Sequence, residues 1–240
     1  VHQGTLPAGT LSLVMTQDEE DEVRVDATLD ASSTALDIEE SDKRSVEKLQ
    51  AALARYRALL GVSLQLGAIP RTEMLLDKIM ESIFEVFPQA DRAFILIKDP
   101  LSGELVPASG RTRTGTGEAL ENYPVSKTII NTVVEKKQSV LSSDAQHDDR
   151  FEKQKSIVHF SIRAVMCSPL VCRDELLGVI SIDTTSKSGS FNTYDLAMLT
   201  GIASLAAIAL KNVELFTTIQ RETQIRTQLS RYVSPDVVEG

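Results

Sequence analysis

The sequence predicts a mixed α/β fold of the α+β type, in which an antiparallel sheet carries the N- and C-terminal helices on one face and a long coiled-coil helix ends the chain. Two observations predict it. Two pairs of strand-length apolar segments are each joined by a short polar turn, which makes the strands of each pair antiparallel. Segments with helical periodicity flank these strands on both sides. Helices packed on one face leave the other face for a pocket.

An acidic segment precedes the ordered part of the chain. Eleven acidic residues and one basic residue lie between Asp18 and Asp42, giving this segment a charge of −10, whereas the whole chain carries −9. High charge with few large apolar side chains does not offset the entropy lost on ordering. Residues 16–43 are therefore predicted to be a disordered linker. The acidic balance also argues against nucleic acid as a partner.

The first fifteen residues contain a turn-like Pro7-Ala8-Gly9 followed by a short apolar run. Two interpretations stay open for residues 1–15: the last strand of an upstream domain, or a disordered tail. Nothing in this region resembles a secretory signal. No segment of the chain approaches the ~20 unbroken apolar residues of a membrane span. We therefore expect a cytoplasmic protein with no membrane partner.

Two helices are predicted before the first strand. In residues 44–69, apolar side chains spaced three and four apart indicate a helix with a coiled-coil seam, ended by Gly67 and Pro70. That seam contains Leu49, Leu53, Tyr56 and Leu60. Thr72 is the predicted N-cap of a second helix, which Pro88 stops. Its apolar face contains Leu75, Leu76, Ile79, Met80, Ile83, Phe84 and Phe87.

The middle of the chain alternates strands with loops. Residues 93–97 and 104–108 form the first predicted strand pair, and 163–171 and 176–183 form the second, around a turn at 173–175. Ser126 is the predicted N-cap of a short helix, and 140–141 a very short strand. Residues 111–117 and 142–161 are predicted loops, the second with one small helix.

The last helix is predicted to be unusually long. Asn192 and Asp195 have the spacing of a capping box, and Phe191 and Leu196 that of a hydrophobic staple. No strong helix breaker follows before Pro235, so a helix of about 40 residues would extend roughly 60 Å. Its seam, with polar interruptions, contains Leu205, Ile208, Asn212, Leu215, Ile219 and Leu229. The two seams together predict a parallel homodimer.

Residues 73–212 resemble a GAF domain, a small-molecule sensing module of signalling proteins. The resemblance rests on MLLDKIMESIFEVFPQADRAFILIKDPLSGELVP, SSDAQHDDRF, SIRAVMCSPLVCRDELLGVISIDTT and FNTYDLAMLTGIASLAAIALKN. It implies a GAF domain at 70–212 and a signalling helix at 213–240. The final RYVSPDVVEG resembles the entry to the catalytic domain of bacterial class III adenylate or guanylate cyclases, which implies that an output domain follows. Residues 1–15 would fit the tail of a forkhead-associated domain.

The cyclic-nucleotide-binding GAF domains carry an Asn-Lys…Phe-x-x-x-Asp-Glu pattern. Phe191 and Asp195 match it, but Asp183-Thr184 replaces Asn-Lys and Leu196 replaces Glu. The resemblance implies a small-molecule effector, and these departures from the pattern argue against a cyclic nucleotide. The cysteine contexts also differ from those of bilin-carrying relatives.

A sensor pocket of this family lies against the sheet and is closed by loops, here 111–130 and 142–161. Candidate ligand-binding residues from the sheet are Phe94, Leu96, Arg163, Val165 and Cys167. Those from the loops are Arg111, Tyr123, Ser126, Asp144, Phe151, His159 and Ser161. No cofactor is identified.

No catalytic or metal site is recognisable in the sequence. Cys167 and Cys172 are not spaced as C-x-x-C, and none of the three histidines has a partner at metal-ligand spacing. Three hypotheses stay open: a sensor and dimerisation module that controls a cyclase, a GAF scaffold that only dimerises and binds nothing, and an enzyme that reduces methionine sulfoxide. The last requires reactive cysteines, and the two here lie in or beside apolar strands.

Overall fold

The computed structural model describes residues 13–16, 25–30, 46–67, 69–113, 123–143, 164–185 and 191–230. The strands are β1 (Leu13–Thr16), β2 (Ala27–Asp30), β3 (Arg92–Lys98), β4 (Leu105–Thr112), β5 (Tyr123–Ser126), β6 (Gln138–Ser143), β7 (Ala164–Cys172) and β8 (Glu175–Thr184). The helices are α1 (Val46–Leu66), α2 (Thr72–Val86), α3 (Lys127–Lys136) and α4 (Thr193–Ser230).

Six strands form one sheet in the order β2-β6-β7-β8-β3-β4. Every neighbouring pair in it is antiparallel. The remaining two strands, β1 and β5, pair in parallel outside this sheet. The predicted α+β class, with an antiparallel sheet and a long C-terminal helix, is confirmed.

Helices α1, α2 and α4 cover one face of the sheet, here called the terminal-helix face. The core below them is apolar, with Leu75, Ile79, Met80 and Ile83 of α2 fully buried. Gly201 lies where α4 crosses α1, and a Cβ there would be 2.9 Å from a methyl of Leu59. The glycine in the middle of α4 therefore allows the two helices to pack closely.

The predicted start of α4 is confirmed in atomic detail. Asn192 Oδ1 accepts hydrogen bonds from the backbone N–H groups of Tyr194 (2.8 Å) and Asp195 (3.1 Å), and Asp195 Oδ2 accepts one from the Asn192 N–H (2.9 Å). Phe191 and Leu196 are buried. By contrast, Thr72 is the first residue of α2 rather than its N-cap, because the extended backbone that precedes the helix belongs to Arg71.

A two-residue turn joins β7 to β8. Arg173 and Asp174 both have positive φ, 49° and 67°, as a type I′ hairpin turn requires. The predicted turn is confirmed, although Glu175 is already part of β8. Further along β8, a Cβ on Gly178 would meet the carbonyl oxygen of Leu96, so only glycine allows β8 to pair closely with β3 at this point.

The structure corrects the prediction of a disordered linker over 16–43 for residues 25–30, whereas residues 17–24 and 31–43 lie outside the described residues. Within that range, residues 27–30 form β2 at the edge of the main sheet. Ala27 and Leu29 face inward and pack against the core, while Thr28 and Asp30 are exposed. The average composition of the segment does not reveal β2, because this strand has only four residues. Only two of them, Ala27 and Leu29, are apolar.

Two predicted loops are shorter than expected because neighbouring strands extend into them. In addition, α4 contains a strongly apolar window. Strand β4 continues to Thr112, and β6 extends over 138–143 rather than 140–141. One α4 window within 193–228 has a mean hydropathy of 1.7 and would pass as a membrane span by length and composition alone. Of that window, 67% is buried inside the protein, as in the core helix of a soluble domain.

Candidate functional site

The sheet face opposite α1, α2 and α4 is covered by α3 and is here called the α3 face. Side chains alternate along a strand, so Phe94 and Leu96 point to this face while Ala93 and Ile95 point to the terminal-helix face. The α3 face carries a second apolar cluster of Phe94, Leu96, Ile129, Ile130, Val133, Val140, Val165, Cys167 and Val179. This floor has the apolar character of a small-molecule site.

A charged pair lies at one end of that floor. Arg92 is paired with Asp183 across β3 and β8, and its Nε donates a hydrogen bond of 2.5 Å to Asp183 Oδ1. Both side chains are buried, at 7% and 6% exposure. Asp183 is also opposite Val165 on β7, which in turn is opposite Ser142 on β6. A polar row of Ser142, Asp183 and Arg92 therefore crosses the apolar face.

Burial controls the ionisation of this row. Burial raises the pKa of Asp183 from its ordinary 3.8 to about 6, although the neighbouring Arg92 guanidinium acts in the opposite direction. Asp91, on the other face, adds a smaller increase through its like charge. Burial also acts to raise the pKa of Asp91, but hydrogen bonds from Thr184 and Thr185 outweigh it and hold that pKa below its usual range.

The raised pKa predicts a pH dependence of stability. Because folded Asp183 holds its proton to higher pH than the unfolded chain does, its contribution to stability is greatest below about pH 4 and is lost as pH rises through about 6. We expect the difference in free energy of unfolding between the parent and Asp183→Asn to fall across that window, by at most about 1.4 kcal/mol per pH unit. Urea unfolding of both proteins from pH 4 to 7.5 measures it, and parallel curves would contradict the assignment.

The α3 face offers recognition groups rather than a nucleophile. Burial raises the pKa of the Cys167 thiol to about 12, against the effect of a hydrogen bond from Ser181, so the sulfur is a neutral thiol at physiological pH. Among the residues that the structure describes, no group of three or more His, Cys, Asp and Glu side chains could hold a metal ion. A buried ion pair at the end of an apolar floor can orient a polar small molecule.

The structure brings four of the predicted ligand-binding residues together. Phe94, Leu96, Val165 and Cys167 all belong to the apolar cluster of the α3 face. Ser126 lies at the start of α3, where its hydroxyl accepts a hydrogen bond from the Ile129 N–H (3.4 Å). Its predicted role as N-cap is therefore confirmed.

Arg111 is not brought to this group. It is opposite Ala93 in the β3–β4 pairing and therefore faces the terminal helices, where its guanidinium is 4.0 Å from the Asp77 carboxylate of α2. Tyr123 is in β5, and its backbone is opposite Leu13 of β1. Predicted ligand-binding residues outside the described part of the chain are Asp144, Phe151, His159, Ser161 and Arg163.

Sequence reasoning missed the polar row. The sequence patterns place Asp183 only at a position of the nucleotide-binding pattern and assign no role to Arg92 or Ser142. The sequence does contain a signal for the buried pair. Arg92 is two residues before Phe94, and Asp183 is two residues beyond Ser181. An arginine and an aspartate in phase with buried strand positions indicate a buried pair.

The predicted dimer residues lie mainly on exposed helix surfaces. Leu53 and Leu60 of α1 are exposed, and Tyr56 is half-buried. On α4, Leu205 is half-buried against the domain core, whereas Ile208, Asn212, Leu215 and Ile219 are exposed. The side chains of Leu49 and Leu229 are outside the described residues. Further exposed apolar residues that the prediction omitted are Leu64, Phe216 and Ile225.

A concavity lies on the terminal-helix side, between α1, α2 and the start of α4. It is an open cleft of about 510 Å³ lined by Arg55, Arg57, Phe87 and Tyr194, among others. The Arg55 guanidinium stacks 4.3 Å from the centre of the Tyr194 ring. This cleft is on the opposite side of the sheet from the buried ion pair.

Comparison with known proteins agrees with this architecture. The sequence profile of the GAF domain matches residues 71–210, which is more than half of the chain. The chain is similar in fold to the GAF domain of a phosphoenolpyruvate-protein phosphotransferase from Coxiella burnetii, with 19% identity, a TM-score of 0.54, and coverage of 70% of this chain and 98% of that one.

Two further solved structures show the same fold. The GAF domain of the corresponding Acinetobacter phosphotransferase is 12% identical, with a TM-score of 0.53 and coverage of 71% of this chain and 96% of that one. Residues 122 to 287 of a methyl-accepting chemotaxis protein are 18% identical, with a TM-score of 0.51 and coverage of 64% of this chain and 97% of that one. Among curated proteins, no sequence match was found.

Proposed function

The chain belongs to the GAF domain family, and from this premise we propose that it is the sensor and dimerisation region of a cytoplasmic signalling protein. A small molecule binds on the α3 face, and α4 transmits the change to an output domain. GAF domains of phosphotransferases and a segment of a chemotaxis protein have this fold, which supports a regulatory role.

The proposal rests on a difference in what the two faces of the sheet bury. The terminal-helix face buries the main core, and its side chains hold the domain together. The α3 face buries a separate apolar cluster beside the charged pair Arg92 and Asp183. Desolvating charges is costly, and a face that served only packing would be more stable with apolar residues there. A ligand-recognition role explains why charges are kept at this position.

The output side of the proposal rests on α4. This helix contacts β6, β7 and β8 within the domain, and its residues 214–228 are exposed beyond it. Exposed apolar side chains along this extension suit a parallel pairing with a second copy. We propose that the output is a class III adenylate or guanylate cyclase, because the final RYVSPDVVEG resembles the entry to that catalytic domain. Such catalytic sites form between two chains, which a parallel pair would place side by side.

The alternative is a GAF scaffold that dimerises and binds no ligand. Thermal unfolding separates the two functions, because a ligand that binds only the folded chain raises the unfolding midpoint by mass action. We expect at least one compound of a panel of amino acids, nucleotides, organic acids and nucleobases to raise the midpoint in a saturable way. Asp183→Asn is the matched variant, and the same compound should stabilise it less. A panel without any effect would favour the scaffold.

We expect that the chain does not bind cyclic nucleotides. Asp183 and Thr184 occupy the Asn-Lys positions of the nucleotide-binding pattern, and Thr184 is buried on the terminal-helix face with its hydroxyl bonded to Asp91. Calorimetric titration with cyclic AMP and cyclic GMP should give no saturable heat at micromolar concentrations. A micromolar isotherm with either nucleotide would overturn this expectation.

A further inference from the structure

The edge strand β2 joins the acidic N-terminal segment to the domain. It pairs antiparallel with β6, with Ala27 opposite Leu141 and Asp30 opposite Gln138. One residue earlier, the Asp26 N–H donates a hydrogen bond of 2.9 Å to the Leu141 carbonyl. Strand β6 in turn contributes Val140 and Ser142 to the α3 face. The segment 25–30 therefore forms the border of the candidate site on its β6 side.

The side chains of this segment reach both faces of the sheet. Val25 packs against the apolar cluster of the α3 face. Ala27 and Leu29 pack against the core on the terminal-helix face. A second strand from the same N-terminal region, β1, pairs with β5, which leads directly into α3. The N-terminal region thus pairs with the strand before α3 and with the strand after it.

We propose that residues 25–30 are a detachable strap that closes the β6 edge of the α3 face, so that the acidic segment controls access to the sensing site. The proposal concerns the regulation of the site described under the proposed function. Its test requires no ligand, so either can fail without the other.

The attachment of the strap is weak compared with that of the other strands. It consists of four strand residues with two partly buried apolar side chains, Ala27 and Leu29, and of the partly buried Val25 just before the strand. The sequence between residues 18 and 42 carries a charge of −10, so like charges repel one another close to the strap. Short edge elements with few buried contacts open locally at a lower free energy than global unfolding. Opening at this edge would expose the cluster that Val25 covers.

Cys167 provides a direct readout of opening. It lies in the covered cluster, is fully buried, and is opposite Val140 in the β6–β7 pairing. In a Cys172→Ser background it is the only thiol of the chain, because Cys167 and Cys172 are the only cysteines. The rate at which a thiol reagent labels Cys167 therefore measures how often this face opens.

The test compares two variants that add the same charge to the same strand. Leu29→Asp places a carboxylate where β2 packs on the core, and we expect at least about tenfold faster labelling of Cys167. Thr28→Asp adds the charge at an exposed position, and we expect labelling within about twofold of the parent. Equal rates in the two variants would overturn the proposal. Low urea should change the rate little, since local opening exposes little surface.

If Leu29→Asp fails to fold, a covalent tether that holds the strap on β6 provides a second test. Its expected effect on the labelling rate has the opposite sign. Asp30→Cys with Gln138→Cys places two thiols at directly opposed positions, about 4.5–5.5 Å apart between Cα atoms, a distance that a disulfide can bridge. In the Cys172→Ser background, the oxidised pair leaves Cys167 as the only free thiol. We expect at least about fivefold slower labelling than in the parent. An unchanged rate in the tethered chain would show that the strap does not control access.

Discussion

Replacing Leu215 and Ile219 together with aspartate is expected to convert a homodimer into a monomer. Both side chains are more than half exposed, at 51% and 60%, on the part of α4 that extends beyond the domain. Most of the stability of a helix comes from packing its apolar face, so pairing with a second copy would stabilise this extension. Burying each leucine or isoleucine contributes about 1.5–3 kcal/mol, and a dimer buries four of them. We expect at least about a 100-fold rise in the dissociation constant.

Sedimentation of the parent and the double variant at tens of micromolar measures this effect. Gln220→Asp with Gln224→Asp is the matched control, because these exposed residues lie off the seam and the variant adds the same charge to the same helix. The control should remain a dimer. A parent that sediments as a monomer would remove the dimer from the account, and a control that dissociates equally would show that charge rather than seam packing is responsible.

The polar residues of the α4 seam affect the stability and the register of the pairing. Asn212, Glu222 and Arg226 interrupt the apolar positions. Polar groups at a coiled-coil seam reduce its stability but can fix the register of the two chains. A pairing of moderate stability can change between two packings, as a helix that connects a sensor to an output requires.

The second large effect is expected from Asp183→Ala. The substitution leaves the buried Arg92 guanidinium without the carboxylate that it contacts at 2.5 Å. Breaking a buried pair by removing one partner typically costs about 3–5 kcal/mol. For a chain of this size, that corresponds to a fall of roughly 10 °C in the unfolding midpoint. Calorimetry or denaturant unfolding measures it.

A double substitution distinguishes two free-energy terms: the destabilisation caused by removing one partner of the ion pair, and the net contribution of the intact pair to stability. Arg92→Met with Asp183→Leu replaces both groups by apolar side chains of similar size, and we expect at least half of the lost stability to return. The raised pKa of Asp183 agrees with this, since the neighbouring cation does not fully offset the desolvation of the carboxylate. A double variant as unstable as Asp183→Ala would mean that other contacts of Arg92 dominate.

Local patterns in the sequence were sufficient for much of this fold. The capping box at Asn192 and Asp195 and the N-cap at Ser126 depend only on neighbouring residues, and both were predicted. The placement of Phe94 and Leu96 on one sheet face follows from their spacing along a single strand.

Features that depend on pairing between strands could not be predicted in this way. Arg92 and Asp183 are 91 positions apart and meet only through the register of β3 and β8. Arg111 was predicted beside the ligand, but the β3–β4 register, which shifts between Ile95 and Leu96, places it on the other face. Strand β2 exists because β6 offers it an edge, which the composition of the acidic segment cannot indicate.

The central claim is that a small molecule binds on the α3 face, and protection of Cys167 tests it most directly. The measurement is the labelling rate of Cys167 in the Cys172→Ser chain, with and without a compound that raises the unfolding midpoint. Cys167 is buried in the floor of that face. The account predicts that labelling slows in proportion to the fraction of chain bound. A compound that saturates the chain and leaves the labelling rate unchanged would place its site elsewhere and contradict the claim.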